Sequence, residues 1–217
     1  MSIRQVLRSL RVVTRSQSFL LSLGLGVIAL SAVAVANTKT LKSIPEPVVK
    51  SSITANQGKQ VAVFAGGCFW GVEELIRKLP GVLATEVGYT GGHVPNPTYE
   101  RIVGGVTGHA ESVRIEFDPS KVSYADLLRY FFRLHDPTTP NRQGNDRGPE
   151  YRSAIFVSNE EQKRIAEEVI REVDASGKWN NKVVTQVVPA ATWYPAEEYH
   201  QDYLQKNPGG YTCHYLR

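Results

Sequence analysis

The sequence predicts an α/β (α+β) sandwich, a mixed sheet of the split βαβ kind with helices packed on it. Three observations predict it. Short apolar runs alternate with amphipathic runs at helical spacing. The amphipathic runs stop at Pro or Gly, and two of them open on capping residues. Strand, helix and strand follow one another twice over, the order that lays helices against a sheet.

Each element has its own reason. Gln60-Val61-Ala62-Val63-Phe64-Ala65 is an apolar strand. Val72, Leu75, Ile76 and Leu79 define a helix over 69–79, stopped by Pro80-Gly81. Residues 82–89 read as a strand and 90–110 as a loop rich in Gly and Pro. Residues 112–117 alternate as a half-buried strand does. Ser123 opens a helix with Asp126 placed to close a capping box, and Leu127, Leu128, Phe131 and Phe132 are buried by it. A loop follows over 136–151, then a short strand over 154–157. Ser158 with Glu161 caps the next helix, which buries Ile165, Val169 and Val173 and ends at Gly177. Val183 to Val188 is a strand, and Ala196 to Lys206 a helix stopped by Asn207-Pro208-Gly209-Gly210. The last seven residues read as an irregular, loose tail. The expected sheet is ferredoxin-like.

Charge and composition narrow the function. The net charge of +4 in 217 residues matches the four arginines of residues 1–36, which contain no Lys, Asp or Glu. Removing those four leaves about zero for residues 37–217, so the folded part has no electrostatic case for nucleic acid. Arg4, Arg8, Arg11 and Arg15 precede an apolar stretch from Phe19 to Ala36, closed by Ala34-Val35-Ala36. That pattern is an export signal, with an uncleaved membrane anchor as the other reading. Either one puts the domain outside the cytoplasm, in the periplasm or on the extracytoplasmic face. No cysteine follows the cleavage pattern, and no arginine pair supports the twin-arginine route. Residues 37–59, with Pro45, Pro47 and several Ser and Thr, read as a flexible linker. The folded domain then occupies 60–217.

Two cysteines exclude a disulfide-dense scaffold and a Cys-rich metal site. Met1 is the only methionine. Cys68 stands between the first strand and the first helix, in Gly67-Cys68-Phe69-Trp70-Gly71. Unpartnered N–H groups and the helix dipole favour a thiolate there. The dipole supplies about 2 kcal/mol at most, enough to leave a thiol of ordinary pKa roughly half ionised at neutral pH. Cys68 is therefore the candidate nucleophile, or else a small buried hydrophobe. Cys213 sits on the tail behind two glycines. It reads as a thiol that closes a disulfide after chemistry, or as one half of a permanent staple. Glu111 opens a strand; a carboxyl in an apolar pocket stays protonated and acts as an acid, whereas a solvated one does not. Tyr89 and Tyr151 lie at loop mouths, where phenols either pack or donate to an oxygen. Asn145-Asp146 is a turn former by default. His200, near Glu197, is a surface histidine or a base for Cys68. His93, His109, His135 and His214 show no metal-ligand spacing, and neither a phosphate loop nor H-E-x-x-H is present.

Together these stretches resemble the type A methionine sulfoxide reductases, the family specific for the S epimer. The resemblance is carried by Gly67-Cys68-Phe69-Trp70-Gly71, Gly88-Tyr89-Thr90-Gly91-Gly92, Gly108-His109-Ala110-Glu111, His135-Asp136-Pro137, Asn141 to Asp146, Tyr151 to Ile155 and Tyr199-His200-Gln201, in that order and spacing. It implies the split βαβ sandwich. It implies that Cys68 attacks the sulfoxide sulfur, that Glu111 protonates the oxygen, and that Tyr89 and Tyr151 hydrogen-bond it. Phe69 and Trp70 would hold the methyl group and thioether stem, with Asp146 and His200 as supporting, substrate-binding residues. Cys213 would resolve the resulting sulfenic acid by forming a Cys68–Cys213 disulfide. The resemblance further implies no cofactor, and electrons from a thioredoxin-like donor. Many members read Gly-Thr-Gln-Tyr-Arg-Ser where this chain has Gly148-Pro149-Glu150-Tyr151-Arg152-Ser153. Pro149 removes a donor and Glu150 adds an ionisable group beside Tyr151. Glu111 and Cys68 should titrate as a coupled pair. Two other classes compete: a Cys–His hydrolase with His200 as base, and a non-catalytic exported domain with a structural disulfide.

Overall fold

A computed structural model describes residues 58–217. The export leader read over 1–36, and the linker read over 37–59 apart from its last two residues, lie outside the described residues. The elements are β1 (Gln60–Gly66), α1 (Phe69–Ile76), β2 (Val82–Thr90), α2 (Tyr99–Ile102), β3 (Ala110–Phe117), α3 (Tyr124–Leu134), β4 (Arg142–Gln143), β5 (Asp146–Arg147), a 3-10 turn (Pro149–Tyr151), β6 (Ser153–Val157), α4 (Glu160–Ala175), β7 (Gln186–Pro189), β8 (Tyr194–Pro195) and α5 (Tyr203–Lys206).

Six strands form one mixed sheet in the order β7-β6-β1-β3-β2-β8. β3 runs antiparallel to both β1 and β2, so β1 and β2 are parallel with β3 between them. β1 is antiparallel to both β3 and β6, so those two are parallel with β1 between them. Two interlocked split βαβ units result, joined by α1 and α3, as expected from the sequence. β7 adds in parallel beside β6 through α4, and β8 pairs with the far edge of β2.

The core lies between the sheet and its helices. Phe69, Val72 and Ile76 of α1, Leu127, Leu128 and Phe131 of α3, and Ala166, Val169 and Val173 of α4 are all buried. Phe64 of β1 packs against Phe131 at 4.9 Å between ring centroids. The described core contains no methionine.

Several boundaries move, each for a local reason. α1 ends at Ile76 rather than at residue 79. Lys78 and Leu79 bond back three residues, to Leu75 and Ile76, because Pro80 bars the residue before it from helical backbone. The cap of α4 is Asn159, whose Oδ1 accepts from Gln162 N–H, while Gln162 returns Oε1 to Ser158 N–H. The box exists one residue later than Ser158 with Glu161. Residues 183 and 184 bond outside the sheet, to Asp174 and Pro137, so β7 starts only at Gln186. The loop over 90–110 contains α2, and the loop over 136–151 contains the β4–β5 hairpin.

The helix read over 196–206 is the largest departure. Only Tyr203–Lys206 is helical. Asp202 takes a left-handed backbone, φ 54°, which breaks the run. In exchange its N–H donates to Glu73 Oε2 at 3.1 Å and its carboxylate meets Arg77 at 2.7 Å. Glu73 is a buried acid on α1 that also accepts from Thr85. This clamp fixes the 198–202 turn, and His200 with it, against α1.

Candidate active site

β1 ends in Gly66-Gly67, and the chain turns there into α1. Gly67 has φ +99°, and a Cβ on it would sit 2.5 Å from Cβ of Gln143, so only glycine fits. Cys68 is the N-cap residue of α1 and is 6% exposed. Burial raises its thiol pKa well above the ordinary value, and the Glu111 charge raises it further; the Trp70 N–H pulls the other way without prevailing. The half-ionised thiol expected from the helix end is thus corrected. Desolvation outweighs the dipole, and Cys68 rests as a thiol.

Glu111 lies on β3 directly across from Tyr89 on β2. It is 2% exposed, and its Oε2 accepts from the Phe69 N–H at 3.1 Å. Burial pushes its pKa up to about 8, assisted by Asp146 and Glu150 and opposed by that N–H. At neutral pH the carboxyl is held as the acid. The bond to Phe69 ties the acid to the first residue of the helix that Cys68 caps.

Aromatic side chains wall the site. Phe69 lies 5.8 Å from Tyr89 and 5.1 Å from His200 between ring centroids. Trp70 stacks on Tyr203 at 3.7 Å and donates its Nε1–H to His200 Nδ1 at 2.9 Å. His200 is buried, and burial lowers its pKa. Its one bare nitrogen is occupied by Trp70, so the base role for Cys68 is removed. Tyr89 donates its hydroxyl proton to Glu197 Oε2 at 2.8 Å. In this state its donor is therefore turned to Glu197 rather than presented to an incoming oxygen. Tyr151 closes the 3-10 turn half-buried, and Glu111, Tyr99, Asp146 and Cys68 all act electrostatically on its phenol.

Cys213 and Cys68 are both free thiols. The tail that carries Cys213 has no regular secondary structure, yet it is docked. His214 is 6% exposed, with Nε2 2.8 Å from the Gly66 carbonyl. Arg217 donates to the Leu134 carbonyl at 2.6 Å. Gly71 has no Cβ because Thr212 and His214 pack where one would stand. The loose tail expected from Gly209-Gly210 is corrected: the glycines allow the turn, and residues 212–217 are pinned. Asp146 belongs to this tail as much as to the pocket. Its Oδ1 accepts from Tyr211 at 2.9 Å and its Oδ2 from the Cys213 thiol at 3.3 Å.

This arrangement has counterparts among known proteins. The profile of the family Peptide methionine sulfoxide reductase matches residues 60–217. The chain belongs to that family. The peptide methionine sulfoxide reductase MsrA of Leifsonia xyli is 61% identical over 156 residues, spanning 72% of this chain and 90% of that one. Solved structures share the fold. Mxr1 from Saccharomyces cerevisiae in reduced form superposes with TM-score 0.70 at 37% identity, covering 81% of this chain and 99% of its own. The methionine sulfoxide reductase A of Corynebacterium diphtheriae superposes with TM-score 0.64 at 36% identity, covering 77% and 84%. Mxr1 has also been solved in complex with Trx2.

Within this reductase family the chain's departures now have places. Pro149 opens the 3-10 turn, where a missing N–H costs nothing. Glu150 is 3% exposed, its Oε2 has no hydrogen-bond partner among the described residues, and burial raises its pKa. It adds to the upward push on Glu111 rather than forming an ion pair. Sequence reading missed two further residues. Glu197 accepts from Tyr89 and, at 2.9 Å, from the Tyr99 N–H. Tyr99 is a third phenol at the pocket, with its ring 4.4 Å from His200 and its pKa pushed up to about 12 by burial and by Glu111. The spacing from Glu197 to His200 hinted at the first; nothing marked the second, which lies in the stretch read as loop. No group of His, Cys, Asp and Glu among the described residues is arranged to hold a metal ion.

Proposed function

We propose that this chain reduces the S epimer of methionine sulfoxide, free or in oxidised proteins, to methionine. One observation carries the reading. A buried thiol stands at the head of a helix whose first N–H holds a buried, protonated carboxyl. A sulfoxide has an electrophilic sulfur and a basic oxygen, so it needs that nucleophile and that acid together. Cys68 attacks the sulfur while Glu111 gives its proton to the oxygen. Glu111 regains a proton as the Cys68 thiol ionises. The hydroxyl then passes to the Cys68 sulfur as the bond between the two sulfurs breaks, leaving methionine and a Cys68 sulfenic acid with no net proton change. Cys68 is held as a thiol until substrate arrives, because burial opposes its charge. Phe69 and Trp70 hold the apolar end of the substrate, with His200 fixing Trp70 through its indole N–H. Tyr151 donates to the oxygen, and Tyr89 does so on leaving Glu197. Asp146 and His200 border the pocket.

Cys213 then closes a disulfide with Cys68, and a thioredoxin-like dithiol reopens it. The Trx2 complex of Mxr1 supports that class of donor. No cofactor enters this cycle. The hydrolase reading loses its base to Trp70, and the two free thiols speak against a permanent staple. The leader pattern supports export to the periplasm or the extracytoplasmic face.

The test is turnover of separated S and R sulfoxide epimers with a dithiol reductant. Conversion of S alone is expected; conversion of R, or of neither, overturns the reading. For export, the mature chain is expected to begin at Asn37 by intact mass. A membrane-bound chain of full length selects the anchor, and a full-length cytoplasmic chain refutes both.

A further inference from the structure

The tail thiol has a proton acceptor on either side. Cys213 Sγ lies 3.3 Å from Asp146 Oδ2 and 3.5 Å from His214 Nδ1. The Gly66 carbonyl can only accept, so His214 carries its ring proton on Nε2 and leaves Nδ1 bare. The Tyr211 hydroxyl holds Oδ1 of Asp146, which leaves Oδ2 to the sulfur. Gly144, with φ +58°, lets the hairpin turn press onto the thiol, where a Cβ would come within 3.0 Å of Cys213 Cβ.

Burial, and Asp146 after it, push the Cys213 pKa up to about 12. At pH 7 roughly one molecule in 10⁵ then carries the thiolate. Attack on a sulfenic acid needs that thiolate, or an acceptor that takes the proton during attack.

We propose that Asp146 is the general base of the resolving step, accepting the Cys213 proton and passing it to the departing hydroxyl. This rests on the reductase reading above. The Cys68 S–O bond and the Cys213 S–H bond break. The Cys68–Cys213 S–S bond and one O–H bond form, and water leaves. Asp146 ends as it began, and no outside oxidant or reductant is consumed. Asp146 is chosen over His214 because its oxygen is the nearer acceptor to the sulfur. The groups facing Cys213 are Asp146 from β5, Tyr211 and His214 from the tail, and Cys68 from the head of α1. Arg217 and Asp146 both act on His214, whose pKa burial lowers to about 4, so it stays neutral through the working range.

The test follows disulfide closure after one equivalent of methionine sulfoxide, with the sulfenic acid trapped by a 1,3-dione and read by mass. The isosteric Asp146→Asn variant should close about 100-fold more slowly at pH 7. Its rate should rise about tenfold per pH unit between 6 and 8, because only preformed thiolate attacks, while the wild-type rate stays flat. Closure of the variant within about threefold of wild type overturns the proposal. So does a wild-type rate that itself rises tenfold per pH unit, a measurement that stands if the variant does not fold. If wild type forms neither methionine nor sulfenic acid from the sulfoxide, the reductase reading is what fails. Closure is then tested on sulfenic acid made with hydrogen peroxide, with the same two outcomes.

Discussion

Cys68 and Cys213 are held by two different kinds of structure. Cys68 is placed by regular elements: β1 ends, α1 begins, and the sheet register sets Glu111 opposite Tyr89 beside it. Cys213 sits on a tail without regular backbone, fixed by His214 on a β1 carbonyl, Arg217 on the end of α3 and Asp146 on the thiol itself. One thiol is positioned by propensity and packing and the other by a few side-chain hydrogen bonds. Each such bond is worth about 1 kcal/mol net, whereas the sheet and core act cooperatively. The two halves of the proposed cycle should therefore fail separately.

The largest effect is expected at the Cys68 end. Glu111→Gln should lower the rate of the first turnover by about 10² to 10⁴ with substrate binding preserved, read in single-turnover mixing. Near-normal turnover removes Glu111 as the acid. The same variant also tests the burial argument. Glu111 is raised from its ordinary value to about 8. Its contribution to stability is full below about pH 4.5 and is lost as pH rises through 8. Denaturant unfolding should show the Gln variant gaining on wild type across that window by a few kcal/mol, because each tenfold change in proton affinity on folding is worth about 1.4 kcal/mol. Equal stability profiles across that window contradict a buried acid.

The smaller effect is expected at the tail. Gly71→Ala improves helix propensity by about 1 kcal/mol. Its Cβ, however, runs into Thr212, and comes within 2.6 Å of His214 Nδ1. The melting temperature should stay close to that of wild type, because the gain in propensity and the lost tail contact offset each other, and the first turnover should stay within about twofold. Disulfide closure should slow about tenfold as the tail is displaced, the equivalent of one lost hydrogen bond. Equal slowing of both steps would merge the two regions into one unit.

The same division decides what the sequence made legible. The split βαβ order and the place of Cys68 at a strand–helix junction follow from period-2 and period-3.6 patterns, which report local burial. Cys68 stood out as a candidate because it sits at such a junction, whereas Glu111, Phe69 and Trp70 took their roles from the family resemblance. The docked tail could not, because no periodic pattern encodes a histidine reaching the Gly66 carbonyl from 148 positions away. The left-handed Asp202 was hidden for a related reason: its compensation lies on α1, at Glu73 and Arg77. Glu111 is the intermediate case. Its position was readable, but its protonation depends on burial and on Asp146 and Glu150, which only the folded arrangement brings near.

The interior packed around Phe64, Phe131 and Ile115 is filled by hydrocarbon side chains and holds no thioether. Methionine would fill such gaps more easily, but it becomes polar when oxidised. The oxidant that generates the proposed substrate therefore has no methionine in the described domain to damage. Under sustained peroxide the working life of the described domain is then set by its two sulfurs, Cys68 and Cys213, both of which the proposed cycle recovers at each turn.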